Sequence, residues 1–166
     1  MASVRIIPAT HVHLEALVRD RQELSELLGS SIPEGWPEFP EAIPHTLEVL
    51  DGSPDESEWW MYFFVDDATG VLVGSGGFAG SPAEGQVEIG YEIAPQFRRR
   101  GYATSATQAL VQKAIASGQV NRVIAHTLAS DERSAGVLHA AGFIEGERFT
   151  HPDDGELVRW HRSIHQ

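Results

Sequence analysis

The chain of 166 residues has no cysteine. This excludes a disulfide framework, a thiolate metal site and a cysteine nucleophile, and it makes the reducing cytoplasm the expected compartment. Long apolar runs are missing too. The most apolar stretch, Trp59 to Val65, falls far short of the roughly 20 residues that a spanning helix needs, so no membrane association is expected. The opening MASVRIIPATHVH carries no apolar run closed by small residues of the secretory type. Basic residues are scarce, 12 against 24 acidic, and the resulting net charge of −12 argues against a nucleic-acid surface and for cationic partners drawn by long-range steering. Repeats, low-complexity segments, a Walker loop and a Ser–His–Asp arrangement are also lacking. Gly74-x-Gly76-x-x-Ala79 has dinucleotide-fingerprint spacing, but Gly80, Ser81 and Pro82 follow where a helix should open, so that reading is rejected.

What is present is one domain's length of alternating patterns. Residues 10–28 place Leu14, Leu17, Val18, Leu24, Leu27 and Leu28 at helical intervals behind a possible cap at Thr10, and Gly29 stops them. From Ser30 to Pro44, four prolines and a glycine surround Trp36 and Phe39, which predicts an ordered loop with exposed aromatics. A short helix over Ala42 to Leu50 is predicted next. Trp59–Val65 and Val71–Ala79 form a hairpin pattern, and a third strand from Gly85 to Pro95 alternates Val87, Ile89, Tyr91 and Ile93 with Glu88, Gly90 and Glu92. The period then becomes helical, with Ala103, Ala106, Leu110, Val111 and Ala114 leading to Gly118. A strand over Arg122–Leu128, a helix over Asp131–Ala141 and strands over Phe143–Phe149 and Glu156–His161 complete the chain. The class expected is α+β, with a central mixed, mostly antiparallel sheet of six to seven strands and about four helices.

Three of the twelve basic residues stand together, Arg98, Arg99 and Arg100, between the strand that ends at Pro95 and the helix that starts near Gly101. A helix N-terminus offers free N–H groups and about half a positive charge, which together suit a phosphate. Gly101 lets the main chain approach an oxyanion closely, and Ala103 keeps the first turn free of bulk. This junction specifies a diphosphate cradle.

Arg98-x-x-Gly101-x-Ala103 in that position resembles the acyl-CoA loop of the GNAT N-acetyltransferase superfamily, whose pattern is Gln or Arg, two residues, Gly, one residue, then Gly or Ala. "VEIGYEIAP" (87–95) resembles the family's central strand, and "VLHAAGF" (137–143) resembles its last helix turning into the next strand. The GYAT of Gly101–Thr104 is similar to the branch that includes the ribosomal-protein N-terminal acetyltransferases. The resemblance covers residues 57–163 well and the first 50 in outline. It implies a single domain over 1–166, with a helical and loop acceptor-side segment at 1–56 and an acyl-CoA-binding core at 57–166. It further implies backbone amides from Arg99, Arg100, Gly101, Tyr102, Ala103 and Thr104 on the diphosphate of acetyl-CoA. Pantetheine would run along Ile93 and Ala94, where parallel neighbours splay apart.

Glu88 and Glu92 share a strand face with Gly90. A half-exposed strand would carry such glutamates without further reason, whereas a covered one would raise their pKa and make a general base. In the resembling family an acidic residue at the Glu88 position often takes that role, so Glu88 is the first candidate and Glu92 the second. The tyrosine used by many members on the last helix is matched here by Leu138, which leaves the acid open. The resemblance assigns a proton-donating or thiol-orienting serine to Ser134, and the usual asparagine position is Asp131, which lacks a donor when ionised. His139 on the helix surface is set aside, as are the pairs His11/His13 and His161/His165, which lack a third ligand, so no metal is expected. Trp36, Phe39 and His45 are the expected acceptor wall.

The function implied is direct acetyl transfer from acetyl-CoA to a primary amine of a small molecule or a peptide N-terminus, with a homodimer as a candidate assembly. The alternative is a catalytically silent acyl-CoA-binding sensor or scaffold.

Overall fold

Thr10 Oγ1 accepts the His13 N–H at 3.3 Å while His13 Nδ1 accepts the Thr10 N–H at 3.1 Å, and this reciprocal pair starts α1 (His11–Arg19). The single helix predicted over residues 10–28 is in fact two. Asp20 adopts extended φ/ψ, ends α1 and, through its carboxylate, accepts the Gln22 N–H to begin α2 (Arg21–Leu28). Gly29, at φ 66°, ends α2 as predicted.

The computed structural model describes residues 2–164. After β1 (Val4–Pro8), α1 and α2 come α3 (Ala42–Gly52), β2 (Met61–Asp66), β3 (Leu72–Phe78), β4 (Gln86–Ile93), α4 (Tyr102–Ser117), β5 (Arg122–Leu128), α5 (Glu132–Ala140), β6 (Ile144–His151) and β7 (Gly155–Ser163). The seven strands make one mixed sheet in the order β1-β2-β3-β4-β5-β7-β6, parallel only between β4 and β5. The α+β class and the mostly antiparallel sheet are as expected. β1 was not foreseen: the first 56 residues supply an edge strand as well as helices and a loop.

Two apolar clusters hold the layers. On one side Tyr62, Phe64, Val73, Val87 and Ile89 pack with Leu110, Val111 and Leu138 from α4 and α5. On the other Phe63 and Leu72 pack with Leu14, Leu24, Ile43 and Leu50 from α1–α3, together with Trp36. β2 is thus buried on both faces. Gly74 and Gly76 of β3 belong to strand packing: a Cβ at either would lie 2.2 Å from the Glu92 carbonyl or 2.3 Å from that of Gly90. The N-terminal strand reaches the far layer, where the Val4 N–H donates to Ser105 Oγ at 3.1 Å and Ala2 lies against Gly101.

Candidate active site

β4 gives way to a single 3₁₀ turn, Pro95–Phe97, and then to the arginine loop. Arg99 takes φ 63° and Gly101 φ 88°, so the chain enters the left-handed region twice within three residues before α4 begins. Glycine meets that demand freely, whereas at Arg99 it is local strain of the kind that collects at binding loops. Among the described residues the N–H groups of Arg99, Arg100 and Gly101 find no hydrogen-bond acceptor, and the first-turn amides of α4 lie beside them.

A cavity of about 630 Å³ opens at this corner between β4, α4 and α5. Ile93, Arg98, Arg99, Gly101, Tyr102, Ala103, Thr104, Asp131 and Ser134 line it. Two residues expected there do not. Ala94 is buried among the α1–α3 cluster, and the Arg100 guanidinium lies over the Phe97 ring, 5.7 Å from its centroid. The Arg98 guanidinium is also engaged within the chain. Its Nε donates to the Ile93 carbonyl at 3.1 Å and Nη2 to Glu38 Oε2 at 2.9 Å, so it ties the Pro-rich loop to the end of β4. Arg133, not singled out from the sequence, also lines the cavity from α5.

β4 and β5 pair only at Gln86↔Arg122, Val87↔Val123 and Glu88↔Ile124. Beyond Glu88 both strands continue unpaired with each other, which is the splay expected. It leaves β4 peptide groups facing the cleft.

At the mouth of this fork Glu88 Oε2 lies 3.2 Å from His126 Nδ1 of β5, with the Glu88 side chain 42% exposed. Arg159 Nε of β7 donates to His126 Nε2 at 3.2 Å, and its Nη1 to Glu147 at 2.7 Å. Because Nε2 accepts, the imidazole proton sits on Nδ1 and points at Glu88. Glu92 is engaged differently: its two oxygens accept the Glu38 N–H at 2.8 Å and the Phe39 N–H at 3.3 Å. Burial raises the Glu92 carboxyl above its ordinary value, partly offset by those two amides.

Tyr91 Oη donates to the Ser134 carbonyl at 3.4 Å, and burial, with Asp131 nearby, pushes its phenol up to about 12. Ser134 donates both its N–H, at 3.0 Å, and its hydroxyl, at 2.8 Å, to Asp131. Asp131 therefore caps α5. Leu138, in the slot where a tyrosine was sought, is fully buried, and His139 is exposed.

A second cavity, of about 410 Å³, lies on the α3 face of β3 and β4, and Phe39, Tyr91 and Glu92 border both spaces. Phe39 is 61% exposed and His45 stands edge-on to Trp60, with centroids 5.6 Å apart; both line it. Trp36 was expected to be exposed, yet it is buried. Its Nε1–H donates to Ser75 Oγ at 2.8 Å and its ring meets Phe63 edge-on, so it anchors the loop to the sheet. A tryptophan amid prolines reads as surface because the loop lacks a period, but burying so large an apolar body outweighs that. Tyr91, His126 and Trp60 were missed. Tyr91 was hidden in an apolar alternation, while His126 carries no local signal beyond standing on a strand parallel to the one with Glu88.

Among the described residues no group of three or more His, Asp or Glu side chains could hold a metal. His11 pairs with Glu15 and Asp51, and His165 lies outside the described residues. No helix among them is long and apolar enough to cross a membrane.

Residues 4–144 match the family model described as acetyltransferase (GNAT) domain. The chain is 33% identical over 129 residues to the uncharacterized N-acetyltransferase YjdG of Bacillus subtilis (strain 168), covering 76% of each. Among solved structures it is similar to the acetyl transferase from Salmonella typhimurium that modifies the N-terminal serine of 50S ribosomal subunit protein L7/L12, with a TM-score of 0.69, 16% identity and 98% and 96% of the two chains covered. It is also similar to the microcin C7 self immunity acetyltransferase MccE in complex with acetyl-CoA and AMP, with a TM-score of 0.68, 17% identity and 98% and 93% covered.

Proposed function

The chain belongs to the GNAT acetyltransferase family, whose activity is acetyl-CoA-dependent acetylation, and from that premise we propose that it transfers acetyl directly to a primary amine of a small molecule or of a peptide N-terminus. One observation carries this reading: β4 and β5 part after Glu88, and Tyr91 and Glu92 on the parted stretch border both cavities. In this reading residues 57–166 form the cofactor core, and residues 1–56 supply the loop and α3 wall of the acceptor side.

The corner fits acetyl-CoA, because two left-handed residues, unpaired loop amides and a helix N-terminus are what a diphosphate needs. Arg99 to Thr104 would hold the diphosphate, Arg133 would stand beside it, and Ile93 would line the path of pantetheine. When bound, acetyl-CoA supplies an activated thioester. The β4 peptide N–H groups left free by the fork would be the donors for its carbonyl oxygen.

Glu88 takes one proton from the acceptor ammonium, with His126 and Arg159 fixing its orientation, and the second proton, lost by the nitrogen on acylation, would leave with the CoA sulfur as free thiol. Glu92, with an amide on each oxygen, holds the loop instead. No covalent acyl-enzyme is required, since transfer rests on placing amine and thioester together.

The test is Glu88→Gln. Affinity for CoA is expected to stay unchanged while kcat falls by about 10²-fold or more, read by free-thiol release. An unchanged kcat would remove Glu88 from the reaction.

A further inference from the structure

The cap that opens α1 has an uncommon partner. A reciprocal helix cap ordinarily sets glutamate or glutamine three residues after the capping threonine, side chains that accept a hydrogen bond throughout the neutral range. Here that place holds His13, whose Nδ1 accepts the Thr10 N–H at 3.1 Å. An imidazole can accept there only while Nδ1 is bare, because both ring nitrogens of the charged form are donors. Protonation sets one N–H against another.

The surroundings favour the bare ring. It stands edge-on to Phe63, with centroids 5.5 Å apart, and Phe63 is fully buried in the α1–α3 cluster. Burial lowers the His13 imidazole from its ordinary value, and no neighbouring carboxylate offsets this. Glu15 of α1 and Asp51 of α3 pair with His11, and Glu23 of α2 pairs with Arg19. Arg21 of α2 is bonded to loop carbonyls, His45 of α3 faces Trp60, and Glu26, Glu48 and Arg5 are exposed.

The same cap is tied to the second cavity. Ala9, just before Thr10, donates its N–H to the Met61 carbonyl at 2.8 Å, and Met61 lines that cavity. Phe63 also meets Trp36 edge-on, Trp36 donates to Ser75 Oγ, and Ser75 lines it too. α3 packs with α1 in the same cluster and supplies Ile43 and Thr46 to the wall. Among the described residues, Arg99 to Thr104 at the start of α4 share none of these contacts.

We propose that the Thr10–His13 pair is a pH-sensitive pin: protonation of His13 undoes the reciprocal cap and loosens α1 and α3 behind the second cavity, while the diphosphate corner keeps its form. Only the naming of that wall as the acceptor side rests on the acetyltransferase reading above, which stands whichever way the pin is decided.

His13→Gln supplies the test, because glutamine keeps the reciprocal cap and does not titrate. A group whose folded pKa is lowered confers stability that is present above its unfolded value, about 6.5 for histidine, and lost as pH falls through the folded one. The Tm of the parent relative to His13→Gln is therefore expected to drop by about 3 °C between pH 8 and pH 5, with His11 and every carboxylate common to both proteins. A constant gap, or one that moves in the parent's favour, overturns the pin.

Hydrogen exchange read by mass spectrometry, corrected for the intrinsic rate at each pH, locates the change. At pH 5 residues 10–19 and 42–52 are expected to exchange about threefold or more faster in the parent than in His13→Gln, with residues 99–117 alike in both. Equal exchange throughout, or a difference that extends equally to α4, overturns the link to the cavity wall. Nitrogen-15 spectra of the parent's histidine rings decide without any variant, and serve if His13→Gln does not fold. The His13 ring is expected to carry its proton on Nε2 at pH 8 and to titrate below the ordinary histidine value. A proton on Nδ1, or a midpoint at or above that value, overturns the pin.

Discussion

Tyr91 and Ser134 border the same cleft, and magnitudes separate their roles. A phenol that holds its proton to about 12 does not surrender it to a thiolate whose thiol titrates near ~8.5. Tyr91 can donate a hydrogen bond to the departing sulfur, and its long 3.4 Å bond to the Ser134 carbonyl leaves it free to do so. The Ser134 hydroxyl is already committed to Asp131 at 2.8 Å. Glu92 gives a prediction at the same scale. Burial raises its pKa in the fold, so ionising it costs more there than in the unfolded chain. Its contribution to stability is full below the ordinary carboxyl value and is lost as pH rises through the raised folded value. Glu92→Gln stays neutral and keeps one acceptor oxygen for the loop amides. Its Tm relative to the parent is therefore expected to improve from pH 4 to pH 8. A gap that moves the other way, or not at all, would mean that the two loop amides outweigh desolvation.

Elements announced themselves in the sequence to the degree that they have a period and two defined ends. α4 lies between the caps Gly101 and Gly118, and α5 follows the Asp131 cap, as their apolar spacing and caps predicted. β1 has five residues with only Val4 buried, and too short an alternation to stand out. The break between α1 and α2 was masked because leucines continue on both sides of Asp20, whose carboxylate chooses a cap over a helical position. The diphosphate corner was legible because strand end, glycine and helix start are local. The Glu88–His126–Arg159 chain joins three strands and could be seen only once their register was known. The contacts of Arg98 were not legible for a related reason, as composition does not say which way a guanidinium points. Its contacts predict a division of labour within the loop. Arg98→Ala is expected to raise the KM for the amine by several-fold through release of Glu38, with a smaller effect on CoA affinity. Arg99→Ala is expected to weaken CoA and spare the amine. Binding and kinetics on both variants check this, and equal effects on the two ligands would remove the distinction.

The whole molecule carries −12, and its acceptor is read as a cation. Screening shortens the reach of that field from ~30 Å at 0.01 M salt to ~8 Å at 0.15 M. The kcat/KM for the amine is expected to fall by about threefold or more over that range. A flat or rising profile in stopped assays at fixed pH would show that charge does not guide the encounter. The two ends of the chain also differ in consequence. Because Val4 is bonded to Ser105 and Ala2 rests on Gly101, residues 2–4 form one flank of the corner where CoA is read to dock. An affinity tag fused ahead of residue 2 would crowd the coenzyme's doorway, whereas β7 ends on the far half of the sheet, so preparations tagged at opposite ends should not be assumed to give the same kinetics.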